Sequence, residues 1–316
     1  MKVFVAGASG AIGQPLLAEL IRNGHEVTGM TNSEAGAKIL REYGVHVAIA
    51  NALDKDAVES VLHASGAEAV IDELTLIPKI PSDLPAYAER DQKLRIEGGG
   101  NLHRVALASG VRRYIQQSSG YFLEANGDLA DEDSPFVLNA SPLIASYAQM
   151  YAHLEQRALQ SMEGVALRYG YFYGPNTWYA PDGGVADQVR QQQFPVIEKG
   201  KAKWSFVHIH DAVQATVAAL TANPGKYIVA DDDPSPVSVW LPKFANFLGA
   251  PSPPIITEKQ ARQNSGEDAV YFQTKLNGAS NAKARRELGF TPRRLEWLNI
   301  VDTDRNYGAT PSASTV

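Results

Sequence analysis

The sequence predicts an α/β chain, a doubly wound parallel sheet followed by a smaller C-terminal substrate-binding lobe. Two patterns predict it. Short β-branched runs alternate with amphipathic stretches through the first half, and repeats of that length require parallel strands joined by right-handed crossovers. A glycine triplet, Gly7, Gly10 and Gly13, stands where the first run gives way to the first amphipathic stretch.

The elements run in order along the chain. Lys2 to Ala6 reads as a strand, a helix starts near Ile12, and Glu26 to Met30 is the second strand. A helix over Glu34 to Tyr43 and a strand over His46 to Ile49 complete the first half of the winding. Ala69 to Asp72, one long helix around Ala86 to Ser109, and a strand over Tyr114 to Gln117 continue it. After Leu167 aromatics and turn residues crowd "RYGYFYGPNTWYAPDGG", and prolines punctuate "DDDPSPVSVWLP" and "GAPSPPIIT", the texture of short elements and loops. The division expected is residues 1–165 for the winding, 166–305 mainly for the lobe, with strands free to return to the main sheet, and a loose tail over 306–316.

Composition narrows the function. At 316 residues and 44% hydrophobic content the chain buries a substantial core. A formal charge of -6 with no Lys/Arg-rich run speaks against a nucleic-acid partner, because that affinity rests on clustered cations. A small-molecule substrate is expected. The chain has no cysteine, so thiolate metal sites, disulfides and cysteine nucleophiles are out. The opening "MKVFVAGASGAIG" suits neither a signal peptide nor a membrane span, and a cytoplasmic protein is expected.

The glycine loop carries the strongest chemical signal. Between a strand and a helix, such glycines permit a tight turn and close backbone approach to a pyrophosphate at the helix amino end, the Rossmann arrangement. Ser9, Ala11 and Ile12 complete the loop. Preference for NAD normally needs a carboxylate at the end of the second strand, where this chain has Thr31, Asn32 and Ser33. NADP is the cofactor expected, with Lys38 or Arg41 in reach of its 2'-phosphate and NAD as the other candidate.

With "GASGAIG" in place, "ANALD" around Asn51, "YIQQSSG", "LRYGYFYGP", "FVHIHDAV" and "SNAKARRELGFTP" succeed one another over nearly the whole chain. In these motifs the sequence resembles the extended or atypical short-chain dehydrogenase/reductases of the NAD-dependent epimerase/dehydratase type. The resemblance implies that Asn51, Ala52 and Leu53 face the adenine, and that Ser118 and Tyr171 line the cofactor. It implies Ser119 as the residue that orients the substrate oxygen, Tyr147 as the acid/base that also meets the nicotinamide end, and a helix-paired homodimer.

Two departures bear on mechanism. The family's lysine, which holds the nicotinamide ribose and favours the phenolate, is replaced by Tyr151 in "ASYAQMYAHLE". Without it a phenol near 10 stays neutral at pH 7, able to donate a proton but not readily to take one, which disfavours alcohol oxidation unless Arg95, Arg168 or another cation supplies the field. Tyr147 and Tyr151 share a helix face, so both can look into one cleft, with Tyr151 on the ribose, or both can pack on the sheet. Arg95 stands where extended members carry asparagine, a candidate for substrate or phosphate oxygens and equally a solvated helix charge. The run Gly98 to Gly100 implies close approach of its helix to a neighbour.

Tyr121, Tyr173 and Trp178 are candidate substrate contacts, with core packing the competing use of such aromatics. His208 and His210 flank one residue, yet the segment matches a metal-free family position and no metal site is expected. The acidic runs at Asp131 to Ser134 and Asp231 to Pro236 read as solvated loops. The function expected is an NAD(P)-dependent oxidoreductase reducing a carbonyl or activated alkene, with Tyr147 as proton donor. The alternatives are a sugar-nucleotide epimerase or dehydratase and a non-catalytic dinucleotide sensor.

Overall fold

The computed structural model describes residues 1–125, 127–160 and 162–298, so the tail expected over 306–316 lies outside the described residues. The winding begins with β1 (Lys2–Ala6), α1 (Gly13–Arg22), β2 (Glu26–Thr31), α2 (Glu34–Glu42), β3 (His46–Ile49), α3 (Lys55–Ser65) and β4 (Ala69–Asp72). It continues with α4 (Leu84–Lys93), α5 (Gly99–Ala108), β5 (Arg113–Ser119), α6 (Pro142–Leu159) and β6 (Glu163–Tyr169). The remaining elements are β7 (Tyr171–Tyr173), α7 (Gly184–Arg190), β8 (Val196–Ile197), β9 (Lys203–Trp204), β10 (Phe206–His208) and α8 (Ile209–Ala218). They end with β11 (Gly225–Val229), β12 (Ser235–Pro236), α9 (Val237–Phe247), β13 (Ile255–Ile256), α10 (Glu258–Thr274) and α11 (Ala282–Leu288).

Seven parallel strands form the main sheet in the order β11-β6-β5-β4-β1-β2-β3. The order reverses between β1 and β4, which opens a crevice at their carboxyl ends. The chain leaves the sheet after β6 and returns to it at β11, beside Val165 to Tyr169. Alternate strand residues feed two cores: Val5, Ile71, Ile115 and Leu167 pack with Leu16 and Val213 of α1 and α8, while Phe4, Val70 and Tyr114 pack with Val58, Leu62 and Leu102 of α3 and α5. A third, aromatic core built on Trp204, Phe206, Trp240, Phe244 and Trp297 holds the C-terminal elements together.

The long helix expected over Ala86 to Ser109 differs in one respect. A π-turn over Leu94–Gly98 joins α4 to α5, adding a residue to one turn and re-aiming the side chains beyond it. The glycine run does mark a close approach: a Cβ on Gly99 would sit 2.8 Å from both Asp72 Oδ2 and Arg157 Nη2. The acidic run at Asp231 requires a correction. Asp231 is buried, its carboxylate accepts the amides of Phe206 (2.6 Å) and Asp233 (2.7 Å), and burial pushes it up to about 7. Backbone amides with no other partner drew this carboxylate inward, which a charge count along the chain cannot register.

Candidate functional site

The dinucleotide cradle is built from the turn between β1 and α1. Gly7 adopts φ +77, and a Cβ there would lie 2.4 Å from the Glu73 carbonyl oxygen, so the turn has no space for a side chain. Gly10 and Ala11 are exposed at its crest, Ile12 is buried beneath, and Gln14 Nε2 ties the loop down by donating to Ser9 O at 2.9 Å. No side chain caps the amino end of α1 and its first turn holds no acid, which leaves that end to an external anion. These residues fit a pyrophosphate.

Toward the adenosine side, Ser9 Oγ and Thr31 Oγ1 are 3.3 Å apart, and Asn32 is exposed. Ser33 caps α2 by accepting the Gly36 amide at 3.1 Å, and Arg41 pairs with Glu34 at 2.5 Å. Asn51 Oδ1 accepts the Leu53 amide, Asn101 Nδ2 donates to Ala52 O, and Leu53 remains 40% exposed. That turn is therefore held open from behind with an apolar side chain free in front.

At the other end of the crevice, β5 brings Gln117, Ser118 and Ser119 to the sheet edge, and strand alternation splits the two serines. Ser118 turns toward α6 and donates to Glu155 Oε1 at 2.6 Å. Glu155 is gripped by Arg168, Nε and Nη2 each at 2.8 Å, and Arg168 Nη1 also donates to the carbonyls of Asp131, Glu132 and Ser134. Arg168 is thus committed to structure. Ser119 Oγ accepts the Tyr121 amide at 3.3 Å and retains its own proton to give.

Helix α6 presents Tyr147 and Tyr151 to the same side, both 5% exposed, with ring centroids 6.4 Å apart. The Tyr147 hydroxyl donates to Asp91 Oδ2 at 3.2 Å. Burial, and then the Asp91 charge, hold that phenol well above the ordinary tyrosine range, against an opposing pull from Arg95. Tyr151 packs between Phe122 and Phe136 with the Arg95 guanidinium 5.5 Å over its ring, and burial raises its phenol too. Arg95 itself is 4% exposed, donates from Nε to Asp91 at 3.0 Å and from Nη1 to Gln117 Oε1 at 3.1 Å. It is a buried, paired cation, not a solvated helix charge. Asp91 and Gln117 were not singled out in the sequence; the signal for Asp91 was its place four residues before Arg95, one helical turn away.

The aromatic candidates divide. Tyr121 stacks on Tyr171 at 4.1 Å, and Tyr171 on Trp204 at 4.4 Å, with Tyr121 and Tyr171 half-buried. Trp178 is half-buried and donates from Nε1 to Pro78 O at 2.8 Å, pinning the loop after β4 to the loop after β7. Tyr173 lies 1% exposed, edge-on to His208 and Trp297. His208 caps α8, accepting the His210 amide at 3.1 Å, and burial lowers its pKa to about 4.

Comparison with known proteins gives the family and the fold. Residues 3–230 match the NAD dependent epimerase/dehydratase family. The chain is 37% identical over 301 residues to the 3-diazoavenalumate denitrifying reductase of a Streptomyces species, covering 94% of this chain and 98% of that one. It is 22% identical over 319 residues to a 4-hydroxy-2-methyl-3-oxo-4-farnesyl-3,4-dihydroquinoline-1-oxide ketoreductase of Stigmatella aurantiaca, covering 93% and 92%. The fold is shared with the Thermus thermophilus UDP-glucose 4-epimerase solved in complex with NAD, at TM-score 0.71 and 23% identity over 94% of this chain and 96% of that one. The chain belongs to the NAD-dependent epimerase/dehydratase family and is an NAD-dependent enzyme of oxidoreductase type.

Proposed function

We propose that this enzyme is a reductase of a small unsaturated molecule, a carbonyl compound or activated alkene, with Tyr147 as the proton donor and Ser119 orienting the substrate oxygen. The observation that carries the reading is the setting of Tyr147, buried with its hydroxyl donating to Asp91 Oδ2 and with Tyr151 where a lysine would favour the phenolate. The dinucleotide, when bound, supplies the hydride. Gly7 to Gly13 hold its pyrophosphate, Ser119 Oγ–H donates to the substrate oxygen, and Tyr147 Oη releases a proton to that oxygen as it gains the carbonyl π pair. Tyr121 and Tyr171 offer a stacked, half-buried wall that suits a planar substrate.

The absence of an acid at Thr31 to Ser33, with Lys38 and Arg41 on the following helix, supports NADP over NAD. Arg41 must then exchange Glu34 for the 2'-phosphate. The homodimer rests on the resemblance to the family, and light scattering at micromolar concentration tests it.

Tyr147→Phe tests the acid assignment. Carbonyl reduction should fall by about 10²- to 10⁴-fold, the usual worth of a positioned proton donor, with dinucleotide affinity unchanged. Full activity in that variant would sink the assignment. One observation favours a second reading: the Streptomyces relative's name describes reduction of a diazo compound with loss of nitrogen. Hydride addition to an arenediazonium with departure of dinitrogen balances without any proton, and under that reading Tyr147→Phe keeps its activity toward a benzenediazonium salt.

A further inference from the structure

Asp91 is the least accessible charged group in the cleft, 0% exposed, and each of its oxygens is assigned. Oδ1 accepts the Leu76 amide at 2.6 Å, from the loop after β4. Oδ2 accepts both Arg95 Nε at 3.0 Å and the Tyr147 hydroxyl at 3.2 Å. The carboxylate therefore cannot swing away from the phenol without losing two other partners. Asp91 lies on the last full turn of α4 and Arg95 in the adjoining π-turn, so one short stretch of chain delivers both charges to the same point.

The charged and titratable groups that face Tyr147 come from four stretches of the chain. They are Asp91 and Arg95 from α4 and the π-turn, Tyr151 from α6 itself, and Tyr121 from the loop after β5. Of these, Asp91 touches the Tyr147 oxygen, whereas Arg95 acts on it through space while spending its donors on Asp91 and Gln117. A phenolate at Tyr147 would stand against a carboxylate at hydrogen-bond distance. The guanidinium that would welcome the phenolate is already half neutralised by the same carboxylate. Arg95 brings a cation to the site that lacks a lysine, and Asp91, paired with it, acts on Tyr147 in the opposite direction.

We propose that Asp91 is a positioning residue that fixes the Tyr147 hydroxyl in place and keeps its phenolate, the form that alcohol oxidation needs, scarce at neutral pH. By accepting the Tyr147 proton in a hydrogen bond and absorbing the Arg95 charge, it keeps the phenol in the donor form. Oxidation of an alcohol, the opening step of epimerase and dehydratase chemistry, needs the Tyr147 phenolate as the base, the form that the adjoining carboxylate opposes. The equilibrium belongs to the substrates; Asp91 decides how much enzyme is in the form that the reverse direction needs. In reduction the proton passes from Tyr147 Oη to the substrate oxygen, Arg95 holds the phenolate left behind, and solvent returns the proton. The proposal rests on Tyr147 being the acid.

The test reads the phenol directly, in the cofactor-free protein. With ¹³Cζ-labelled tyrosine and the Tyr147 resonance identified by its loss in Tyr147→Phe, wild-type Tyr147 should remain protonated above the ordinary tyrosine range. Asp91→Asn keeps the shape and the acceptor for Leu76 but removes the charge, and should bring that titration down by about one unit or more. The same variant should oxidise benzyl alcohols about tenfold faster at a fixed pH per unit of that shift. If Asp91→Asn fails to fold because Arg95 is left unpaired, Asp91→Asn with Arg95→Gln removes both charges, and Tyr147 should still titrate below wild type, by less. A Tyr147 resonance unmoved in whichever variant folds overturns the proposal, whatever Tyr147→Phe does to activity. A moved resonance in a protein whose Tyr147→Phe variant reduces carbonyls at full rate overturns the acid reading of Tyr147 and the directional claim with it.

Discussion

Glu73 shows how a single buried acid can report on the cradle above it. Its carbonyl oxygen closes the space beneath Gly7, its Oε1 accepts the Tyr169 hydroxyl at 3.1 Å, and its Oε2 is buried with no partner among the described residues. Burial pushes the carboxyl up to about 8, against a downward pull from the Tyr169 hydrogen bond, while neighbouring Asp72 adds to the rise. The folded state thus holds a proton that the unfolded chain releases near 4.5. Folding stability from this group is complete below that value and declines as pH rises through about 8. Glu73→Gln should flatten the decline, so that urea midpoints of variant and wild type diverge between pH 5 and pH 8; parallel midpoints across that range would show that Glu73 is ionised throughout. Nothing in "VIDELTL" separated Glu73 from any acid at a strand end, because the partner that matters, Tyr169, lies 96 residues away. Ser118 was legible as a strand-end residue, but its hydroxyl goes to Glu155 on the α6 side, a choice made by strand alternation.

At the scale of elements, α6 does two tasks with one buried face. Tyr147 and Tyr151 look toward the crevice, and Glu155, one turn further, anchors Arg168 of β6, which in turn holds the carbonyls of the loop at Asp131 to Ser134. Both partners are almost fully buried, at 2% and 6% side-chain exposure. Removing one partner strands the other charge, so Arg168→Met should cost about 3–5 kcal/mol in urea unfolding. Arg168→Met combined with Glu155→Leu should recover most of that loss, and an uncorrected double variant would mean that the three carbonyls, not the ion pair, carry the stability. The placing of the tyrosine pair on one helix face was readable from spacing. The π-turn was not, since its signature is one extra residue in an otherwise regular apolar pattern, and only the placement of the Arg95 side chain and the Gly99 backbone makes it matter.

Across the whole molecule, the crevice is framed by loops from both halves of the chain, joined where Trp178 reaches Pro78. A dinucleotide that binds only the folded chain should stabilise it by about 2.7 kcal/mol at a concentration one hundred times its dissociation constant. Thermal melts with NADPH and NADH at equal concentration should then rise by several degrees, NADPH the more; an equal or larger rise with NADH would reverse the NADP preference. The sequence by itself determined the winding, the glycine cradle, the family and the replacement of lysine by Tyr151, because these are written in local periodicity and in residues a few positions apart. Only the tertiary structure decided what the phenols face. Asp91 meets Tyr147 across 56 residues and Arg95 meets Gln117 across 22, and a buried charge acts through distance in space, which linear spacing does not encode.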